Sequence, residues 1–158
     1  MSDAIKHECG IALLRLRKPI GYYKQKYGDS LYGLGKMYLL MEKQHNRGQD
    51  GAGMACIKSG MPPGTTYTDI VRSNSATPIK DIFQRTYSQI ESLVGRDEER
   101  YADMDWVKQN LPFSGELFLG HLRYGTFGKN EYPSLCPPKQ LEDPQPHHRR
   151  QLQSYQHR

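Results

Sequence analysis

The residues of this sequence that stand out chemically lie at the ends of apolar segments. Cys9 begins the apolar run Cys-Gly-Ile-Ala-Leu-Leu, the polar cluster Asn-Arg-Gly-Gln-Asp occupies residues 46–50, and His-Leu-Arg-Tyr-Gly-Thr occupies residues 121–126. A cysteine at the start of a buried strand is usually structural and inert, since free cysteine is among the most buried residue types. The two other clusters at comparable positions favour a different interpretation, in which Cys9 is a reactive thiol.

The composition narrows the class of protein. The chain has 158 residues, of which 36% are hydrophobic, and a net charge of +5. It is long enough for one domain with a core, but a mean hydropathy of −0.80 predicts that part of it does not pack. No membrane span or signal segment is present in the pattern, so we expect a cytoplasmic protein with no membrane partner. The basic residues form no stripe with interleaved aromatics, so no nucleic-acid partner is expected.

The three cysteines, Cys9, Cys56 and Cys136, are odd in number and widely spaced. No Cys-x-x-Cys pair occurs, which argues against a disulfide scaffold and against a structural zinc site. The sequence therefore predicts no bound metal.

Hydrophobic periodicity places these residues on a mixed set of strands and helices. Asp29 or Ser30 is expected to cap the first helix, and Gly33 and Gly35 in its first turn suggest a close backbone approach. The predicted strands cover residues 9–16, 52–57, 65–72 and 115–123, and the first of them is expected to be buried on both faces. The predicted helices cover residues 31–44, 78–94 and 97–110. A tyrosine-rich connection is predicted for residues 19–29. We expect the strands that start at Cys9 and Ala52, and the one that ends at Arg123, to form the buried centre of the sheet.

The character of the sequence changes near residue 130. All 15 glycines precede residue 129, whereas five of the ten prolines fall within residues 131–158. This segment has no periodicity and few large aliphatic residues, so it is expected to be a disordered tail.

The three motifs together resemble those of the type 2 glutamine amidotransferase domains, which are N-terminal nucleophile hydrolases. Cys9-Gly10-Ile11 opens a strand, Arg47 and its neighbours follow the first helix, and the segment at 121–126 closes a later strand. Within this family they are most similar to the glutaminase half of amidophosphoribosyltransferases, which begin purine synthesis. The resemblance covers residues 9–130 and implies an incomplete α+β domain of the αββα sandwich type.

The resemblance also implies roles for individual residues. Cys9 would attack the side-chain amide of glutamine, giving a thioester and ammonia, with its own α-amino group as the base. Cys9 would then have to be the first residue, so residues 1–8 would act as a propeptide. Arg123 would pair with the α-carboxylate of glutamine, Tyr124 and Thr126 would line the glutamine pocket, and Arg47 would lie near the nucleophile.

The sequence departs from the family pattern in two ways. The Gly-Asn motif of the oxyanion hole and the aspartate that holds the substrate amino group are missing, and losing one oxyanion donor costs on the order of 100- to 1,000-fold in turnover. The phosphoribosyltransferase half is also missing, so the chain itself is expected to use no cofactor. A full-length relative would use magnesium with phosphoribosyl pyrophosphate, and such relatives form homo-oligomers.

These departures leave alternatives open. The chain could belong to another type 2 amidotransferase, for aminosugar, asparagine or glutamate synthesis, or it could be an inactive truncated remnant. We further hypothesise that residues 131–158 are out-of-frame translation after a frameshift near Asn130. Codons can be chosen for residues 141–153 such that the same DNA, read in a shifted frame, encodes an apolar segment that ends in Gly-Asn. A natural polar extension is the other explanation of the tail.

Overall fold

The computed structural model describes residues 9–95 and 98–124, which form a four-stranded antiparallel sheet with helices packed on one face. The fold is therefore mixed α and β, as the periodicity predicts. The predictions for residues 1–8 and 131–158 lie outside the described residues. The strands are β1 (Gly10–Arg15), β2 (Gly51–Ile57), β3 (Thr68–Ser73) and β4 (Leu117–Arg123), and the helices are α1 (Ile20–Tyr27), α2 (Tyr32–Lys43), α3 (Pro78–Val94) and α4 (Met104–Asn110).

The strand order is β1-β4-β2-β3, so β4 lies between β1 and β2 although it is the last strand in the described sequence. Gly10 pairs with Leu122, and Gly51 pairs with Arg123. The prediction that the first strand is buried on both faces is wrong. The predicted strands β2 and β4 do form the centre of the sheet, but β1 is an edge strand, so its predicted place in the centre is wrong. Because no described element covers its second face, Ile11 and Leu13 are 66% and 68% exposed.

The helix layer covers the other face of the sheet. α2 packs on β1 and β4, and α3 packs on β2 and β3. The approach of α2 depends on glycine: a Cβ on Gly33 would lie 2.5 Å from the ring of Phe118, and one on Gly120 would lie 2.8 Å from Met41 Sδ. The predicted close approach is therefore confirmed at Gly33. It is wrong at Gly35, where a Cβ would have no neighbour within 4 Å.

The tyrosine-rich connection predicted for residues 19–29 is wrong over most of its length, because residues 20–27 form α1. Pro19 precedes its first turn, Ile20 is buried, and the Tyr23 and Tyr27 rings stack on Tyr32 of α2 at centroid distances of 5.0 and 4.6 Å. Ring stacking and not an aliphatic stripe therefore attaches α1 to α2.

Helix boundaries differ from the predictions at two further places. The prediction that Asp29 or Ser30 caps this helix is wrong, because α2 begins at Tyr32 with Leu31 at its N-cap and no side-chain cap. The Asp29 carboxylate instead accepts a hydrogen bond from the backbone N–H of Leu31 at 2.8 Å, one residue before the helix. The single helix predicted over 97–110 is wrong for the described part of that range. A 3₁₀ turn covers Glu98–Tyr101, and α4 begins separately because the Asp103 carboxylate accepts from the N–H groups of Asp105 and Trp106.

None of the helices formed by the described residues is long and apolar enough to cross a membrane.

Candidate functional site

Cys9 lies at one end of the sheet, directly before β1, and is exposed. Its neighbour Gly10 pairs with Leu122 in antiparallel register. Continuing that register by one residue sets Cys9 level with Arg123, the last residue of β4. The two residues that the sequence assigned to nucleophile and carboxylate binding therefore lie at the same end of the sheet.

The backbone of Arg123 is held from the β2 side. It pairs with Gly51 of β2, and its carbonyl oxygen accepts a hydrogen bond from the N–H of Asp50 at 3.0 Å. The residue is only 4% exposed. Burial strengthens the electrostatic interactions of its guanidinium with an anion.

Arg47 reaches the same end from the helix layer. It ends a 3₁₀ turn, His45–Arg47, that follows α2, and its side chain is exposed. A Cβ placed on Gly10 would lie 3.4 Å from Arg47 Cβ and 3.0 Å from Gln44 Oε1. Residues from β1, from β4 and from the turn after α2 are thus neighbours, although they are far apart in sequence.

Gly48 explains how this turn comes so close to the sheet. Its φ is −161°, an extended conformation that any residue can adopt, so backbone conformation does not require a glycine here. A Cβ on Gly48 would instead lie 2.6 Å from the carbonyl carbon of Leu122 and 2.7 Å from the backbone of Arg123. A side chain at residue 48 would therefore push the Arg47 turn away from the end of β4.

The remaining assigned residues divide between the described and undescribed parts of the chain. Tyr124 follows β4 directly and is half-buried, next to Arg123. Thr126 lies outside the described residues, as do residues 1–8, whose removal the family chemistry would require.

Cys56 provides an internal comparison for Cys9. It lies in the middle of β2, is fully buried and belongs to the hydrophobic core. Burial raises the pKa of the Cys56 thiol well above its ordinary value. Cys56 is thus an inert core residue, whereas Cys9 is accessible to solvent.

Three residues near the site had no assigned role in the sequence analysis. Gln44 and Gly48 contact the ends of β1 and β4, and His121 pairs with Ile11 and Gly53 on the uncovered face of the sheet. His121 belongs to the quoted motif at residues 121–126, which is the only signal that could have drawn attention to it. The contacts of Gln44 and Gly48 depend on the strand order, which the sequence pattern does not show.

Within residues 9–95 and 98–124, no group of three His, Cys, Asp or Glu side chains is placed to hold a metal ion. Comparison of the chain with protein-family models, with curated proteins and with solved structures finds no match.

Proposed function

We propose that the chain is a glutaminase domain of the type 2 glutamine amidotransferase family, with Cys9 as its nucleophile. The observation that supports this proposal is that three motif residues lie at one sheet end: Cys9 before β1, Arg47 after α2 and Arg123 at the end of β4.

The proposed reaction has two steps. The Cys9 thiolate attacks the side-chain carbonyl carbon of glutamine, the C–N bond breaks, and the leaving nitrogen takes a proton to give ammonia. The resulting thioester is hydrolysed by water to glutamate and the free thiol. The α-amino group of Cys9 serves as the proton carrier once residues 1–8 are removed, so nucleophile and base belong to one residue.

Arg123 and Arg47 are assigned to the substrate. A planar guanidinium can bind the α-carboxylate of glutamine through two parallel hydrogen bonds. Arg123 suits this role because it is buried and its backbone is fixed by Gly51 and Asp50. Arg47 is exposed at the rim of the same end, where it would add positive charge and orient the incoming substrate.

The finer fold is also part of the proposal. In an αββα sandwich a second sheet would cover the face that carries Ile11 and Leu13, whose exposed fractions of 66% and 68% support a missing layer. The described residues would then be one half of the sandwich. The sequence contains no Gly-Asn motif to supply the oxyanion donors, so any turnover by this chain is expected to be weak.

Measuring glutamine hydrolysis tests both this proposal and the alternative that the chain is an inactive remnant. Glutamate release from glutamine is measured on the chain trimmed so that Cys9 is first, on the untrimmed chain, and on trimmed Cys9→Ser and Cys56→Ser variants. We expect activity only in the trimmed chain, loss in Cys9→Ser and retention in Cys56→Ser. Equal loss in both variants, or full activity with residues 1–8 attached, would contradict the proposal. No activity in any form would support the inactive remnant.

A further inference from the structure

A cleft of about 720 Å³ opens at the end of the sheet opposite Cys9. It lies where β1 ends at Arg15, which pairs with Leu117 at the start of β4. The segment between β1 and α1 forms one side, and the residues that follow β2 form the other. Its volume is in the range of sites that hold small organic ligands.

The cleft is strongly basic. Arg15, Arg17, Lys18 and Lys108 line it, against the single carboxylate of Glu116. Within the described part of the chain, Arg15, Arg17 and Lys18 have no carboxylate within ion-pair distance. The three cations at the mouth are therefore available to an anionic ligand.

Glu116 lies at the floor of the cleft and does not neutralise the three cations at its mouth, Arg15, Arg17 and Lys18. It is only 8% exposed, and one of its oxygens accepts hydrogen bonds from the backbone N–H and the hydroxyl of Ser59, at 2.9 and 2.8 Å. Its other oxygen pairs with the ammonium of Lys108. Since both oxygens are occupied, the buried carboxylate fixes Ser59 and Lys108 at the base of the cleft.

The cleft also has an apolar wall. Ile57 and Leu117 are paired across β2 and β4 and both are half-buried, and Leu16 and Pro19 add further apolar atoms to the lining. Pro19 precedes α1, whose first turn has no acidic residue and no side-chain cap, so the helix end adds a further positive potential. An apolar surface beside cations suits a ligand with an anionic end and an apolar body.

We propose that this cleft binds a small organic phosphate monoester. Arg15 and Arg17 bind the phosphate oxygens, because a guanidinium fork matches phosphate geometry, and the apolar part of the ligand packs on Ile57 and Leu117. This site is separate from the Cys9 end of the sheet and does not depend on the amidotransferase proposal.

Calorimetric titration at low ionic strength tests the proposal, with phenyl phosphate, inorganic phosphate and benzoate as probes. We expect saturable binding of phenyl phosphate that is at least about tenfold tighter than that of the other two, since neither combines a phosphate with an apolar body. Equal affinity for inorganic phosphate would overturn the organic-ligand proposal, and equal affinity for benzoate would overturn the phosphate requirement.

A matched pair of variants locates the site. Arg15→Gln with Arg17→Gln removes two charges at the cleft, and Lys36→Gln with Lys43→Gln removes two charges on α2. We expect the first pair to weaken phenyl phosphate binding about tenfold or more and the second to change it less than twofold. All four residues are exposed, so both variants should fold, which circular dichroism verifies. Equal losses, or no binding to the unmodified chain, would overturn the proposal.

Discussion

Cys9 is exposed one residue before β1, whereas Cys56 is buried in β2 beneath the helix layer. At the scale of single residues, this difference predicts which thiol a small reagent can reach. Iodoacetamide should modify Cys9 in the folded chain, and Cys56 at least about 100-fold more slowly, because Cys56 becomes accessible only on opening of the core. Peptide mapping by mass spectrometry measures both rates, and comparable rates would show that the core described here is not formed.

The buried thiol also predicts a pH dependence of stability. Burial raises the pKa of Cys56 above its ordinary value of 9.0, so the folded chain keeps a proton that the unfolded chain releases in alkali. This contribution is fully present below about pH 9 and is lost as the pH rises above that value. Urea unfolding at pH 8 and pH 10 should therefore show a larger stability loss for the unmodified chain than for Cys56→Ala. An equal loss of stability in both chains would contradict a raised pKa of the Cys56 thiol in the folded state.

At the scale of elements, the packing of α2 on the sheet predicts opposite effects at two neighbouring glycines. A Cβ on Gly33 would lie 2.5 Å from the Phe118 ring, whereas one on Gly35 would have open space. Gly33→Ala should reduce the free energy of unfolding by about 1–3 kcal/mol through overpacking. Gly35→Ala should raise it by about 0.5–1 kcal/mol, because alanine is the better helix former. Chemical denaturation of both variants measures the contrast, and a stabilising Gly33→Ala would refute this packing.

The elements also show how far sequence patterns reach. The spacing of Leu34 and Met41, and of Ile82 and Ile90, predicted α2 and α3 because aliphatic residues at helical spacing form their buried faces. The same reasoning missed α1, which is attached by tyrosine stacking that has no aliphatic periodicity. Strand order cannot be read from periodicity either, so the edge position of β1 was not predicted.

The residues of the candidate site also divide into those that the sequence pattern could predict and those that it could not. Cys9 and Arg123 could be chosen from their motifs and from their positions at the ends of apolar runs. The contacts of Gly48 could not, because they depend on β4 lying between β1 and β2 and on the turn after α2 crossing its end. A glycine that allows a close approach looks in sequence like any glycine in a turn.

At the scale of the whole molecule, the uncovered sheet face predicts self-association. Ile11 and Leu13 are exposed on this face beside half-buried Leu119, and exposed apolar patches of this kind favour association. Leu13→Lys should shift the chain towards the monomer in sedimentation velocity. Leu93→Lys, which changes an exposed leucine on α3, serves as the control and should have little effect. Equal shifts would show that the open sheet face has no special role.

A glutamine-like electrophile distinguishes glutamine chemistry at Cys9 from the ordinary reactivity of an exposed thiol. The trimmed chain with Cys9 first is treated with 6-diazo-5-oxo-L-norleucine and mapped by mass spectrometry. We expect one adduct, on Cys9. L-Glutamine should suppress it and D-glutamine should not, and Arg123→Gln should greatly reduce it. If iodoacetamide modifies Cys9 but the glutamine analogue does not, or if L-glutamine gives no protection, the assignment of Cys9 to glutamine chemistry is contradicted.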